Sequence, residues 1–217
     1  MQRYINPSPE QWKVLTQRGA ASYSSLEPLA KEVFDNVAQY GDQALKTYTE
    51  KFDKVKLDGF SVDAKEIELA KNRVPEKLKL AIQKAKENIY RFHKAQITEE
   101  VKVEIQTGVN CWQKKLPIEK VGLYIPGGSA PLFSTILMLA IPAQVAGCDR
   151  IVLCSPPDSK GQLSDVILYT ANLCGIDTIF KVGGMQAIAG MTLGTETIPK
   201  VDKLFGPGNQ YVTVAKQ

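Results

Sequence analysis

The sequence predicts an α/β protein in which a mainly helical segment precedes a three-layer domain built on a parallel β-sheet. Three observations favour this fold. Apolar residues recur at helical spacing through the first half of the chain, four short apolar runs alternate with helical stretches in the second half, and the density of charge falls between the halves. Hydrophobic residues make up 44% and charged residues 23% of the chain, as in globular proteins.

The composition changes near residue 119. Residues 1–118 hold 20 basic and 16 acidic side chains, whereas residues 119–217 hold seven of each and 12 of the 16 glycines. A charged segment poor in glycine is typical of helices with a solvated face, and an apolar segment rich in glycine is typical of buried strands joined by tight turns. We therefore predict two units, residues 1–118 and residues 119–217.

The first unit contains four stretches whose apolar residues recur at i, i+3 and i+4, the spacing of an amphipathic helix. Gly41 is expected to end the first of these helices, and Pro75 is expected to open the last. The predicted helices cover residues 25–40, residues 44–48, a run that begins at residue 64, and residues 75–92.

A β-hairpin is predicted after these helices. Val101, Val103 and Ile105 alternate with polar residues, which predicts a half-buried strand. A turn at residues 107–108 would lead into a second strand that carries Cys111 and Trp112.

The second unit repeats one pattern four times: a short apolar run, a turn and a helical stretch. The predicted strands are residues 121–125, 151–154, 178–182 and 201–205, and the predicted helices are residues 133–146, 163–173, 186–193 and a stretch from 209 onward. This βαβ pattern predicts a parallel sheet that is covered by helices on both faces. Right-handed crossovers would place every strand-to-helix turn at the same edge of the sheet.

Three of these four turns are rich in glycine, at residues 127–128, 183–184 and 206–208. Ligands of open α/β sheets bind at the carboxyl ends of the strands, where glycine lets the backbone approach a ligand and helix N-termini attract anions. The pattern therefore indicates an anionic, nucleotide-like ligand. The alternative is that these glycines serve only to make tight turns, since neither G-x-G-x-x-G nor G-x-x-x-x-G-K-[ST] occurs.

Charge and composition exclude several classes of partner. The net charge of +4 is too small to favour nucleic acid. No apolar run approaches the ~18 residues that a membrane span requires. We expect neither nucleic acid nor a membrane as a partner.

The four cysteines form no C-x-x-C pair and accompany a single histidine, His93. We expect reduced thiols in a cytoplasmic protein and no zinc site built from this chain alone. His93 is interpreted as a solvated residue of a charged helix. Cys154 is interpreted as a buried thiol rather than a nucleophile, because no histidine lies in a matching context to act as its base. The hydroxyls of Ser129 and Ser134 have two equal interpretations, as contacts to a ligand or as caps of the helix that begins near Phe133.

Three motifs of the second unit resemble those of one enzyme family. They are VGLYIPGGSAP at residues 121–131, VGGMQAIA at residues 182–189 and VDKLFGPGN at residues 201–209. In this order they resemble the signature regions of histidinol dehydrogenase. The likeness is densest over residues 121–216 and weaker before, where GDQAL at residues 41–45 resembles the opening of the family.

The resemblance implies an NAD-dependent, zinc-requiring oxidoreductase of histidine biosynthesis. The family oxidises L-histidinol through L-histidinal to L-histidine and reduces two NAD. Its members are homodimers with incomplete Rossmann domains like those of aldehyde dehydrogenases. Carried over from the family motifs, the residues that contact NAD are Tyr124, Gln186 and Asn209. The resemblance thus implies NAD and zinc as cofactors, L-histidinol as substrate and a second copy of the chain as partner.

Members of the family are about twice as long as this sequence, and their zinc ligands and catalytic Glu-His pair lie in the part that would follow Gln217. The resemblance therefore implies an N-terminal fragment with no catalytic residue and no zinc ligand of its own, inactive in isolation. Residues 1–118 would be one part of a first domain that is split along the chain. Two alternatives remain: a stand-alone nucleotide-binding module without catalysis and, more weakly, another enzyme of the aldehyde-dehydrogenase type.

Overall fold

The computed structural model describes residues 3–16, 23–127 and 131–217. The helices are α1 (Pro9–Leu15), α2 (Glu27–Tyr48), α3 (Ala64–Arg73), α4 (Glu76–Lys94), α5 (Phe133–Ala146), α6 (Asp165–Leu173), α7 (Gly184–Leu193) and α8 (Gln210–Ala215). The strands are β1 (Val101–Gln106), β2 (Val109–Gln113), β3 (Lys120–Tyr124), β4 (Arg150–Ser155), β5 (Thr178–Lys181) and β6 (Lys203–Phe205). A 3₁₀ turn covers Tyr23–Ser25, and a π-helical turn, Thr49–Asp53, extends α2.

Strands β3 to β6 form a parallel sheet with the order β5-β4-β3-β6. The chain adds β4 and β5 on one side of β3 and then crosses back to place β6 on the other side. The order therefore reverses between β3 and β6, as it does at the ligand-binding crevice of doubly wound sheets. This arrangement confirms the predicted parallel sheet, and its order corresponds to part of the Rossmann sheet.

Helices cover both faces of this sheet. Leu123, Leu153 and Ile179 belong to a buried cluster with α5 and α6, whereas Tyr124 and Phe180, one position further along their strands, belong to a second cluster with α2, α7 and α8. The alternation follows from the two-residue period of a β-strand. The predicted three-layer architecture is thus confirmed.

The N-terminal helices pack against the helices of the sheet domain: α2 lies against α7, α3 against α6, and α4 against α5. The segment after the π-helical turn also pairs with the edge strand β5. The N–H of Lys181 donates to the carbonyl of Phe60 at 2.8 Å, and the N–H of Val62 donates to the carbonyl of Ile179 at 3.0 Å. Both buried clusters include residues from each side of position 118. The division between residues 118 and 119 stays a prediction.

Two helix boundaries show how the local sequence sets the structure. Gly41 adopts φ 50° and ψ −127°, so the two helices expected over residues 25–48 form one element with a break at this glycine. At the start of α3, the Asp63 carboxylate accepts a hydrogen bond from the N–H of Glu66 at 2.7 Å, and the Glu66 carboxylate accepts one from the N–H of Asp63 at 3.3 Å. This reciprocal pair is a capping box.

The hairpin of β1 and β2 forms in antiparallel register, with the second strand carrying Cys111 and Trp112 as predicted. The expectation that its first strand is half-buried is wrong, because every residue of both strands is exposed. Alternation of apolar and polar residues places the apolar side chains on one face, but it does not determine whether another element covers that face. Among the described residues, no helix is both long enough and apolar enough to span a membrane.

A substitution at the centre of the sheet tests how closely its residues pack. A Cβ on Gly122 of β3 would lie 2.6 Å from Leu204 Cδ2 and 2.8 Å from Met191 Sδ. We expect Gly122→Ala to lower the free energy of unfolding by ~1–3 kcal/mol, because these side chains must shift within a filled core. Urea unfolding measures the change.

Gly59→Ala is the matched control, since a Cβ at that position meets no atom within 4 Å. It should change the free energy of unfolding by less than ~0.5 kcal/mol. Equal stability of the two variants would show that β3 is not packed as described.

Candidate functional site

A cavity of about 710 Å³ opens at the carboxyl edge of the parallel sheet. Residues from the ends of β3 and β4 and from the turns before α6, α7 and α8 line it, together with the π-helical turn that follows α2. All four predicted strand-to-helix turns therefore contribute to one site. The volume falls within the ~300–1,000 Å³ of typical small-molecule pockets.

Tyr124, Gln186 and Asn209, the three residues carried over as NAD contacts, all line this cavity. They come from three separate segments, at the end of β3, in the first turn of α7 and just before α8. Their contact with NAD stays a prediction, whereas their meeting in one cavity is a feature of the fold.

Tyr124 ends β3 with its side chain only 3% exposed. Its hydroxyl accepts a hydrogen bond from the N–H of Gly184 at 3.1 Å, which ties the end of β3 to the start of α7. Burial, as the main cause, raises the pKa of Tyr124 to about 12. The phenol therefore stays protonated at neutral pH and keeps its own hydrogen for a further acceptor.

Gln186 is fully buried in the first turn of α7. Its Nε2 donates a hydrogen bond to the Asp53 carboxylate at 3.1 Å. Its Oε1 is buried and has no hydrogen-bond partner within the described part of the chain. An unpaired buried acceptor is costly, so this oxygen is the polar atom of the cavity most in need of a donor.

Asp53 is a member of the site that the motif analysis did not predict. It ends the π-helical turn Thr49–Asp53, and the following Lys54 has a left-handed backbone with φ 59°. Burial is the main cause that raises the pKa of Asp53 to about 6, and the hydrogen bond from Gln186 opposes the rise. No motif marks this aspartate, because it lies in a polar stretch of the helical segment and reaches the sheet edge only through the packing of α2 on α7.

Asn209 is exposed and precedes α8. Its Oδ1 accepts a hydrogen bond from the N–H of Val212 at 3.2 Å, so the side chain caps the helix. Because this bond engages the oxygen, the amide nitrogen is the group available to a ligand.

Comparison with known proteins adds to this geometry. The family model described as histidinol dehydrogenase matches residues 16–217. The chain belongs to the histidinol dehydrogenase family. It is 53% identical over 211 residues to histidinol dehydrogenase of Bacteroides thetaiotaomicron, covering 97% of this chain and 49% of that protein. It is 52% identical over 211 residues to that of Salmonella typhimurium, covering 97% of this chain and 48% of that protein.

A crystal structure of histidinol dehydrogenase from Elizabethkingia anophelis is similar throughout. It matches with a TM-score of 0.93 and 53% identity, covering all of this chain and 50% of that one. The chain spans about half the length of the curated relatives it matches. The resemblance read from the three motifs is thus confirmed at the level of family and fold.

Two of the turn glycines, Gly127 and Gly183, have a packing role, whereas the turn glycines were expected to let the backbone approach a ligand. A Cβ on Gly127 or on Gly183 would overlap the side chain of Pro156, which lies between these two turns. At both positions the absence of a side chain lets neighbouring turns pack closely. This observation favours the tight-turn alternative for Gly127 and Gly183, whereas Gly128 lies outside the described residues.

The remaining candidate residues from the sequence are Ser129, Ser134 and Cys154. Ser129 lies outside the described residues. Ser134 is exposed, and the residue before α5 is Leu132, which caps without a side-chain hydrogen bond, so Ser134 does not cap that helix. Cys154 is fully buried, and burial raises the pKa of its thiol far above the ordinary value, as expected of a structural cysteine.

The two cofactors that the resemblance implies, NAD and zinc, differ in how they fit these residues. The cavity and the unpaired Gln186 Oε1 suit a dinucleotide with several polar groups. In the described ranges, no group of three His, Cys, Asp or Glu side chains lies close enough to hold a metal ion. We therefore assign no step of the chemistry to zinc held by these residues.

The raised pKa of Asp53 predicts a pH-dependent cost to folding. Below about pH 4 the carboxyl is protonated in both the folded and the unfolded chain. As the pH rises through about 6, the folded chain must ionise a buried group that the unfolded chain has already ionised, so stability falls. Because the carboxyl is only partly buried, we expect a loss of ~1–2 kcal/mol by pH 7.5.

Asp53→Asn removes this cost while keeping an acceptor for Gln186. Its stability relative to the unmodified chain should therefore rise by ~1–2 kcal/mol between pH 4.5 and pH 7.5, as measured by urea unfolding. Asp58→Asn, at an exposed position of the same segment, is the control. A difference between Asp53→Asn and the unmodified chain that does not vary with pH would contradict the assigned burial of Asp53.

Proposed function

We propose that this chain is the NAD-binding part of a cytoplasmic histidinol dehydrogenase, which oxidises L-histidinol through L-histidinal to L-histidine in histidine biosynthesis. The observation that carries the proposal is the meeting of Tyr124, Gln186 and Asn209 in one cavity of a chain that belongs to this family. The relatives that match are themselves named histidinol dehydrogenase. Bound NAD would supply the acceptor for the hydride that leaves the alcohol.

The position of the cavity supports a dinucleotide. It lies at the carboxyl edge, beside the point where the strand order reverses between β3 and β6. The N-terminus of α7 borders it and would attract a pyrophosphate. Phe52 and Tyr211, each 40% exposed, offer aromatic surfaces for a base.

The charge of the lining supports NAD rather than NADP. Two carboxylates, Asp53 and Asp158, contribute to the cavity, and its described lining includes no lysine or arginine. Acidic side chains pair with ribose hydroxyls and repel an added 2′-phosphate, which arginine would otherwise accommodate. The three predicted contacts are likewise neutral: a phenol and two amides.

Zinc, the catalytic pair and the second subunit belong to the whole enzyme in this proposal. The residues of this chain hold and orient NAD, while the alcohol and the groups that take its proton are held elsewhere in a homodimer. Membership of the family supports each of these assignments.

Calorimetric titration of NAD into the chain tests the cofactor directly. We expect binding by the unmodified chain and at least ~10-fold weaker binding by Asn209→Asp, since a carboxylate still caps α8 but removes the amide donor and repels phosphate. Asn110→Asp, an equivalent change at an exposed residue of β2, should bind NAD as the unmodified chain does. Absence of binding, or equal affinity for both variants, would argue against the proposed site.

If this chain supplies only the NAD-binding residues, the chain alone should have no activity. The 217 residues mixed with L-histidinol and NAD should form no NADH, because the cavity holds cofactor-side groups alone. Absorbance of NADH measures the rate, with a histidinol dehydrogenase of the relatives' length as the positive control. Turnover by the 217-residue chain would refute this assignment.

A further inference from the structure

The contact between Asp53 and Gln186 determines which end of the Gln186 amide is free. An ionised carboxylate can only accept hydrogen bonds, so it must face the amide nitrogen. The observed bond from Nε2 to Asp53 at 3.1 Å satisfies this requirement. The amide oxygen is thereby left as the unpaired atom.

Gln186 Oε1 packs against the backbone of Gly184 at the start of α7. Gly184 adopts φ +61°, and a Cβ at this glycine would lie 2.7 Å from Oε1. Gly184 and Gln186 both line the cavity. The missing side chain at Gly184 therefore lets Oε1, an acceptor with no partner among the described residues, lie close to the backbone at the start of α7.

A protonated Asp53 would change this arrangement. Its carboxyl would gain an O–H donor, which could pair with the amide oxygen of Gln186 once the amide turns over. The N–H₂ group of Gln186, a donor, would then take the place of the amide oxygen as the unpaired group. The pKa of Asp53, raised to about 6 by burial, places this change within an accessible pH range.

Among the described residues, burial and the hydrogen bond from Gln186 shift the pKa of Asp53, and no charged group is among the causes. On its own turn, Lys54 donates to the carbonyl of Lys51 at 2.8 Å, and the Lys51 ammonium lies over the rings of Tyr48 and Phe52. In the described part of the chain, neither lysine forms an ion pair with Asp53.

From the packed elements, β3 contributes Tyr124 and β4 contributes Cys154; burial raises the pKa of both groups, so both stay neutral below pH 8. Asp158 is the other carboxylate of the cavity lining, and its side chain accepts hydrogen bonds from the N–H groups of Lys160 and Gln162. His93 lies on α4 and does not line the cavity.

We propose that Asp53 is a positioning residue that holds the Gln186 amide with its oxygen free to accept a hydrogen bond from an N–H or O–H group of NAD. The inference rests on the proposed function, since it requires NAD in this cavity. Asp53 itself acts through Gln186.

NAD titrations of the full chain at pH 5 and pH 8 test this role. We expect the unmodified chain to bind NAD about five- to tenfold more tightly at pH 8, the size of one well-placed hydrogen bond. Asp53→Asn offers Gln186 both a donor and an acceptor, so it should bind about five- to tenfold more weakly at pH 8 and lose the pH dependence. Asp58→Asn should behave as the unmodified chain.

A double-mutant cycle shows whether Asp53 acts through Gln186. In a Gln186→Met background, which lacks the acceptor, Asp53→Asn should have no further effect on NAD affinity. Additive effects, or an Asp53→Asn variant with the affinity and pH profile of the unmodified chain, would overturn the inference while leaving NAD binding intact. Absence of NAD binding by the unmodified chain would instead refute the proposed function, and this inference with it.

ADP-ribose, which lacks the nicotinamide carboxamide, separates the two kinds of donor. If the effect of Asp53→Asn persists with ADP-ribose, the donor is a ribose hydroxyl or the adenine amine. If the effect disappears with ADP-ribose but not with NAD, the donor is the carboxamide. Both results support the role of Asp53.

Discussion

Because β3 pairs in parallel with both β4 and β6, the chain leaves each strand of the sheet at the same edge. This constraint gathers four turns that are far apart in sequence, and Pro156 holds two of them together between Gly127 and Gly183. The cavity lies at this edge, beside the point where the strand order reverses between β3 and β6. The location of the site therefore follows from strand pairing, before any side chain is considered.

Within that cavity, the polar groups are few and interdependent. Tyr124 ties the end of β3 to Gly184, and Asp53 ties the turn after α2 to Gln186. Burial raises the pKa of Asp53 although the hydrogen bond from Gln186 opposes the rise, so the ionised carboxylate costs folding free energy at neutral pH. A residue that destabilises the fold and orients a site is a common form of compromise between stability and activity. The hydrogen bond to Gln186, which leaves the amide oxygen unpaired, is the reason to propose a role for Asp53.

Much of this arrangement could be predicted from the sequence, because periodicity and motifs report local structure. The runs at residues 121–125, 151–154 and 178–182 predict buried parallel strands, and the motifs around Tyr124, Gln186 and Asn209 identify the family. Asp53 could not be predicted, since its position depends on how α2 packs against α7 across more than 130 residues of chain. The exposure of Trp112 could not be predicted either. Alternation of apolar and polar residues predicts an apolar face but does not show whether another element covers it. The turn glycines marked the right edge, although at Gly127 and Gly183 the structure assigns them to packing against Pro156.

We propose above all that NAD occupies the carboxyl edge of this sheet. Hydrogen exchange of the backbone amides, followed by mass spectrometry with and without NAD, tests it most directly. We expect slower exchange at residues 124–127, 155–164, 183–186 and 206–209 when NAD is bound, with no change in the exposed hairpin at residues 101–113. Protection that is absent from these turns, or confined to other parts of the chain, would contradict it.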